Sequence, residues 1–543
     1  GNGVLTANTT ENRNTSVGQA ALTSNTIGND NAAMGFGALY TNTTGANNVA
    51  IGDSTLKNNT TGGGNTALGY QSLFANTTSG GNVGVGFRSL YSNTLGQYNI
   101  GIGYEALYSN TTSEYNVALG HRALYANTTG DYNIAIGAFA LDASTTAAYN
   151  TAVGYSALTN NTSGSKNTAM GYKSMYSNTT GANNSAFGES ALFANTTGAG
   201  NSAFGYQALK SNTTGSRNTV TGYRALYTNT TGGDNTVYGY ESMALNTTGS
   251  YNTAFGFQSL SANTTGTQNV AIGDSTLYSN TTGNYNTAIG FYTLKNNTTG
   301  QYNSGVGMKA LYLNTTGNYN SASGYTALYT NTTGDYNVAS GTSALFKNTT
   351  GSYNVAVGAN SLVENTTGSE NIALGLEALY SNTTGSNNTA LGLKAGYSNS
   401  TGSNNVFIGY KAGYNETGSN KLYIGNSATQ NLITGDFSSG ALSLGQASGT
   451  VSVLNNLDVD GNLETDALSI NGTTVSSTAA ELNLLDGLTS IYGTNAIGIS
   501  GNNIGIGASV MAGADHSGNY NTAIGIDSLS ITTSASRNSS LGY

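Results

Sequence analysis

Apolar and polar residues recur along this chain at a fixed spacing of seventeen. Counted from the Asn that opens each unit (Asn14, Asn31, Asn48 and onward to Asn388 and Asn405), 24 units follow one another without an insertion or deletion. Position 5 is Gly in all 24 copies; position 9 is Leu in 20 and Met in two, Met175 and Met243, with only Gly396 and Gly413 breaking the row. Position 4 is bulky and apolar except at Thr221, Ser323 and Ser340, and position 12 is Asn except at Ser144 and Glu416. Position 3 is Ala or Gly in 20 copies, and position 8 is Ala, Ser or Thr in every copy.

Seventeen residues interrupted by an invariant Gly and an NTTG cluster cannot hold two helices. Stretches such as "NTAIG" and "ALYSN" alternate with period two, which suits short strands. NTTG carries turn chemistry, since Asn and Gly tolerate positive φ and Thr hydroxyls bond nearby backbone. One unit therefore reads as strand, Gly corner, strand, turn. The fold predicted is all-β, a parallel β-roll or β-solenoid with one coil per unit, in which residue i lies over residue i+17. With strands about 4.8 Å apart, 24 coils extend on the order of 115 Å. Strict spacing has a cause, because one inserted residue would exchange core for solvent in every later coil.

Rows then acquire roles. Position 4 and the Leu row are expected to fill the interior, the Asn row at position 12 to form an amide ladder, and Tyr/Phe at position 10 to form an aromatic stripe. A ligand-stacking platform is the alternative for that stripe. Small residues at positions 3 and 8 are expected to point outward and let neighbouring chains approach. Two large apolar side chains per coil make a thin core, so a homo-oligomer is expected, with three chains about a threefold axis the simplest closed form.

Regularity ends after Asn405, because the next unit opens at Asn420, fifteen residues on. Three segments follow: a repeat shaft over 1–425, a non-repetitive connector or neck over 426–500, and the start of a second roll over 501–543. In the connector, "LDVDGNLETDALSINGTTV" suggests short strands with DG and NG hairpin turns, and Thr478 to Glu481 forms a capping box for a short helix closed by Gly487. From Asn503 the pattern returns, with Asn521 and Asn538 again seventeen apart. Beginning and ending mid-coil, the sequence reads as a window of a longer fibre or a processed product.

Composition supports order rather than disorder. Charged residues make up only 8%, with 76 Gly and no Pro, Cys or Trp, yet 37% of residues are hydrophobic and the 37 Tyr and 13 Phe fall at regular intervals. Disordered chains are poor in aromatics. A net charge of −9 with no run of Lys/Arg leaves nucleic acid and membrane surfaces as unexpected partners. Lack of Cys excludes disulfides and thiolate metal sites, and no apolar run reaches the roughly eighteen residues of a spanning helix.

Candidate chemistry is sparse. The two His, His121 and His516, form no triad or paired-His motif, and His121 occupies a variable surface position. Gly-rich strings such as "GVGFRS" and "GIGYEA" lack the GK[ST] of a phosphate loop. In "DVDGNLETD", Asp458, Asp460, Glu464 and Asp466 hint at calcium, but Gly461 stands fourth rather than sixth, which favours a hairpin turn. N-x-T sequons, for example at Asn42 and Asn178, are glycan acceptors in one cellular context and simple turns in another. Stacked Thr could match an ice lattice, although NTT sits at a turn. No catalytic residue, cofactor or metal ligand is assigned, and no enzyme activity is expected.

Units such as "NTAVGYSAL" and "NIAIGAFAL" resemble the SVAIGxxA coils of trimeric autotransporter adhesin heads, which implies a parallel β-roll of three intertwined subunits. Downstream, "NNVFIGYKAGYNETGSNKLYIGNSATQNLITGDFSSGALSLG" and "VSSTAAELNLLDGLTS" resemble segments of phage tail fibres and tail-fibre-domain surface proteins. Together these imply the shaft of an extracellular homotrimeric fibre, on a virion tail or a bacterial surface, that holds a host-recognition tip. The alternative is an adhesin whose roll surface binds a host glycan or protein receptor, with receptor contacts in exposed Tyr rows or around residues 426–500.

Overall fold

In the computed structural model, residues 5–9, 13–445 and 451–454 are described, together with six further strands between 468 and 541. The chain divides into two compact units, residues 1–451 and 452–543. The first is a parallel β-solenoid. Its strands β1 (Thr15–Val17), β2 (Ala32–Met34) and β3 (Val49–Ile51) recur once per coil through β23 (Thr389–Leu391) to β24 (Val406–Ile408). Each pairs in parallel with the next at an offset of seventeen, as in Thr287↔Ser304 and Ala288↔Gly305. Asn31 and Asn48 lie on adjacent rungs, the Asn48 amide donating to Asn31 Oδ1 at 3.0 Å.

The sheet then changes character. β24 pairs with β25 (Lys421–Gly425) in parallel at an offset of sixteen, and β26 (Asn431–Asp436) and β27 (Ala441–Leu444) add on antiparallel. In the second unit, β28 (Leu468–Ile470) and β29 (Thr473–Val475) form an antiparallel hairpin with only Asn471 and Gly472 between them, as the NG pair predicts. β30 (Ile497–Ser500) pairs antiparallel with β31 (Asn503–Ile506), and β31, β32 (Thr522–Ile524) and β33 (Ser539–Leu541) run parallel. The helix expected from Thr478 to Gly487 and the DG turn at Asp460 lie outside the described residues.

Within a coil, the expected second strand is absent; positions 6–11 form a folded corner. Three non-glycine residues per coil adopt left-handed backbone there and at the coil's end, at positions 7, 9 and 17, as in Arg88 (φ 50), Leu90 (φ 52) and Tyr98 (φ 55). Left-handed backbone costs an L-residue about 1 kcal/mol or more. At Leu90 the cost is offset by full burial, by its N–H donating to Ala106 O at 2.9 Å, and by its carbonyl accepting from Asn93 N at 3.2 Å. Position 5 is Gly because its φ lies between 113 and 142°, where side chains clash, and because a Cβ would meet the next coil's Gly carbonyl.

The core inverts the expected sidedness. Position 3 (Ala33, Ala50, Ala67) and position 8 (Ala38, Thr55, Ser72) are buried with the Leu row, whereas position 4 faces solvent, with Met34 49% and Leu391 48% exposed. A coil whose opposite walls close within seventeen residues leaves room inside its strand for a small side chain, Ala or Gly in most coils and Val at Val220 and Val237, both fully buried. Small residues therefore line the interior, and the bulky alternate set is pushed outside.

One site tests this size rule. The Leu row fails only at Gly396 and Gly413, and there position 3 becomes Phe407, fully buried; a Cβ on either glycine would strike its ring. One Phe thus occupies the space of two Leu and an Ala. Phe407→Ala should destabilise the last coils by about 3–5 kcal/mol, measured by urea titration with hydrogen exchange. Combining it with Gly396→Leu and Gly413→Leu should recover most of that loss, since the result restores the standard coil.

Candidate functional site

Among the described residues no cluster of reactive side chains stands out, so the candidate site is built from the rows themselves. Two ladders of buried Asn run along the solenoid. At position 12, Asn59 Nδ2 donates to Asn42 Oδ1 at 2.7 Å and to its own coil's Gly62 carbonyl at 2.9 Å. At position 1, Asn48 Nδ2 donates to Asn31 Oδ1 at 3.1 Å and to the same Gly62 carbonyl at 2.9 Å. The two ladders meet at one carbonyl per coil. Sequence reasoning foresaw the first ladder and missed the second, although both Asn rows are equally regular. Position 15 is mostly Gly because a Cβ there would collide with the side-chain oxygen of its own coil's ladder Asn and with the next coil's carbonyl, as Gly62 would with Asn59 Oδ1 and Ser79 O.

This network decides the sequon question for the folded chain. Asn178 is fully buried, its amide nitrogen donating to Asn161 Oδ1 at 2.8 Å and Gly181 O at 2.9 Å, and Asn42 is held the same way. Neither can carry a glycan without losing these bonds. The adjacent Thr are also partly committed: Thr298 Oγ1 donates to Thr315 O at 3.0 Å, and Thr299 is the more exposed of the two.

Aromatic rows form at position 10, as expected, and also at positions 6 and 17. Tyr285, Tyr302, Tyr319, Tyr336 and Tyr353 stack with ring centroids 4.7–5.0 Å apart and planes within 3–5°. Each pair contributes about 0.5–1.5 kcal/mol beyond area burial. Ring faces are occupied by neighbouring rings and only edges reach solvent, which removes the ligand-stacking platform along these runs. His121 is exposed and belongs to such a row, stacked on Tyr104 at 5.2 Å. Within "GVGFRS" and "GIGYEA" the amides of Gly86 and Gly103 donate to Leu68 and Val85 carbonyls, leaving no phosphate cradle. Asp458, Asp460, Glu464, Asp466 and His516 lie outside the described residues.

Charge enters the network only at its end. Glu416 replaces Asn at position 12 of the last coil; its Oε1 accepts from the Thr417 and Gly418 amides and its Oε2 from the Tyr423 hydroxyl at 2.6 Å. Burial and this bond push the Tyr423 phenol up to about 12. Burial pushes the Glu416 carboxyl up too, but the Tyr423 and backbone donors outweigh it and hold the group below its ordinary range. Beside them Lys421 Nζ lies 2.7 Å from Asp436 Oδ2, which with Ser438 holds Asp436 well below the usual carboxylate range.

Among the described residues no group of three His, Cys, Asp or Glu is placed to hold a metal ion, and no helix is long and apolar enough to cross a membrane. The chain matches no family model, no curated protein and no solved structure.

Two outcomes follow from the ladder. Ser144 interrupts the position 12 row and its hydroxyl has no partner, and position 15 of the same coil is Ala147 rather than Gly. Ser144→Asn combined with Ala147→Gly, which removes the Cβ that would strike the new amide, should rejoin Asn127 to Asn161 and stabilise the neighbouring coils by about 1 kcal/mol, seen as slower hydrogen exchange there. The cap should respond to pH. Glu416 and Asp436 titrate lower folded than unfolded, so their contribution is lost as pH falls below about 4; Tyr423 titrates higher, so its contribution is lost as pH rises above about 10. Hydrogen-exchange protection factors at β25–β27 should fall at both extremes.

Proposed function

We propose that this chain is the shaft of a homo-oligomeric extracellular fibre, a homotrimeric phage tail fibre being the favoured form, that holds a host-recognition tip away from its anchor. The observation that carries this reading is the outer face of the solenoid sheet. Positions 2 and 4 point to solvent in every coil, are mostly apolar at position 4, and contain no charged residue anywhere in the 24 coils. A strip roughly 110 Å long and one strand wide amounts to on the order of 1,000 Å². That uncharged strip matches the roughly 800 Å² each partner buries in a stable complex. Its ideal partner has the same axial repeat, so that rows mesh coil by coil along the whole length, and another copy of this chain meets that condition. Three copies turning this face toward one axis would close without leaving an apolar edge.

The resemblance to tail-fibre segments over residues 405–490 supports a fibre over a free enzyme. An adhesin acting through its roll surface is the second reading, favoured by the gathering of basic residues on one side of the coil.

Sedimentation equilibrium should return three times the chain mass. Ile272→Lys with Ile289→Lys would place charges in the apolar contact, at several kcal/mol, and should yield monomer with an unchanged β-type circular dichroism spectrum. A wild-type chain that stays monomeric at micromolar concentration would sink the oligomeric shaft.

A further inference from the structure

Along the sequence the basic residues look scattered, yet the coil gathers them. Between residues 14 and 419, positions 7, 10 and 11 carry eleven Lys/Arg against five Asp/Glu, while all other positions carry two Lys/Arg against ten Asp/Glu. A chain of net charge −9 therefore has one long stripe of positive excess.

That stripe is organised around the position 10 aromatic row. All ten cations at positions 7 and 10 lie within 6.0 Å of a position 10 ring. Arg224 sits 4.3 Å from the Tyr227 ring and Lys210 5.4 Å from the same ring. Burial pushes the Tyr227 phenol up, but hydrogen bonds and charge from Lys210 and Arg224 outweigh it and bring the group below its ordinary value. Cation–π contact holds these side chains over the rings instead of leaving them to sample solvent, which lowers the ordering cost of binding.

We propose that this stripe is a docking surface for a linear acidic polysaccharide. Its charge density decides among polyanions. Three of the eleven cations, Arg122, Lys347 and Lys394, are paired with Asp142, Glu364 and Glu377 on the stripe itself; the other eight over the coils from Asn48 onward amount to about one per three coils, or about one per 13 Å. A glycan with one carboxylate per disaccharide spaces its charges similarly, and its hydroxyls meet the Tyr hydroxyl edges. Duplex DNA carries a charge about every 1.7 Å and would be left largely unneutralised. Single strands need open ring faces for their bases, and here Tyr91, Tyr108 and Tyr125 stack on one another at 5.1–5.2 Å. Positions 7, 10 and 11 belong to the folded corner and not to the strand that carries positions 2 and 4, and the proposal stands independently of the shaft reading.

The test is binding of the full chain to hyaluronate, which carries one carboxylate per disaccharide, with dextran as the uncharged control and poly(dT) as the nucleic-acid control, at low and high salt. The expected result is saturable binding to hyaluronate that weakens as salt rises and is not seen with dextran. Removing four stripe charges (Lys173→Gln, Arg224→Gln, Lys309→Gln, Lys411→Gln) should weaken it about tenfold, each contact being of exposed ion-pair strength. Lys166→Gln with Arg217→Gln, two cations off the stripe, should leave affinity unchanged. Equal affinity of the four-site variant, equal binding to dextran, or tighter binding to poly(dT) would each overturn the assignment.

Discussion

Everything in the first unit depends on one coil meeting the next at the same height, and buried neutral amides enforce it. Backbone bonding between coils could in principle slip by a residue, but two Asn rows converging on one carbonyl cannot. A shifted Asn would leave both its own amide and that carbonyl unpaired in a dry interior, and such a loss costs about 1–3 kcal/mol per group. Repeated over more than twenty coils, the penalty makes a single register the only accessible one. Because Asn does not titrate, the device works without charge, which fits an interior too narrow to hydrate an ion.

Narrowness explains the rest of the cross-section. With Ala or Gly, and twice Val, at position 3, Ala, Ser or Thr at position 8 and one Leu per coil, the interior is filled, and the bulky position 4 set stands outside. Phe407 shows how tight the fit is, since it enters only where two Leu have become Gly. The excluded residues are then stacked by the same registry: Ile, Val and Met into an apolar band, and Tyr and Phe into ladders about 5 Å apart. Left-handed backbone at Leu and at positions 7 and 17 is the cost of turning so often in seventeen residues, and it is met by burial and by bonds to adjacent coils.

Three outer surfaces result from one rule. The uncharged apolar band suits a partner with the same repeat, and on it the proposed shaft rests. The aromatic and cationic stripe suits a sparsely charged polymer running along the axis. The remaining positions carry the negative excess. Stacking converts weak per-coil preferences into extended faces, because a residue type favoured at one position is multiplied along the whole length.

The period, the all-β parallel architecture, the in-register stacking, the Asn row at position 12 and the aromatic row at position 10 were legible from sequence, since each follows from a spacing that never varies. Sidedness was not. Alternation says that positions 3 and 4 face opposite ways, but not which faces in, and the usual preference for burying the bulkier set fails when the interior beside the Leu row admits little more than a small side chain. Nor could spacing show that Asn48 and Asn59, from two different rows, share the Gly62 carbonyl as acceptor. It was equally silent on the second strand being a left-handed corner, and on the position 7 cations lying against the position 10 rings, as Arg224 does on Tyr227. The sequence by itself determined that the chain repeats in vertical register; the tertiary structure decided what lies inside each coil and which outer rows become neighbours, because both depend on how tightly seventeen residues close on themselves.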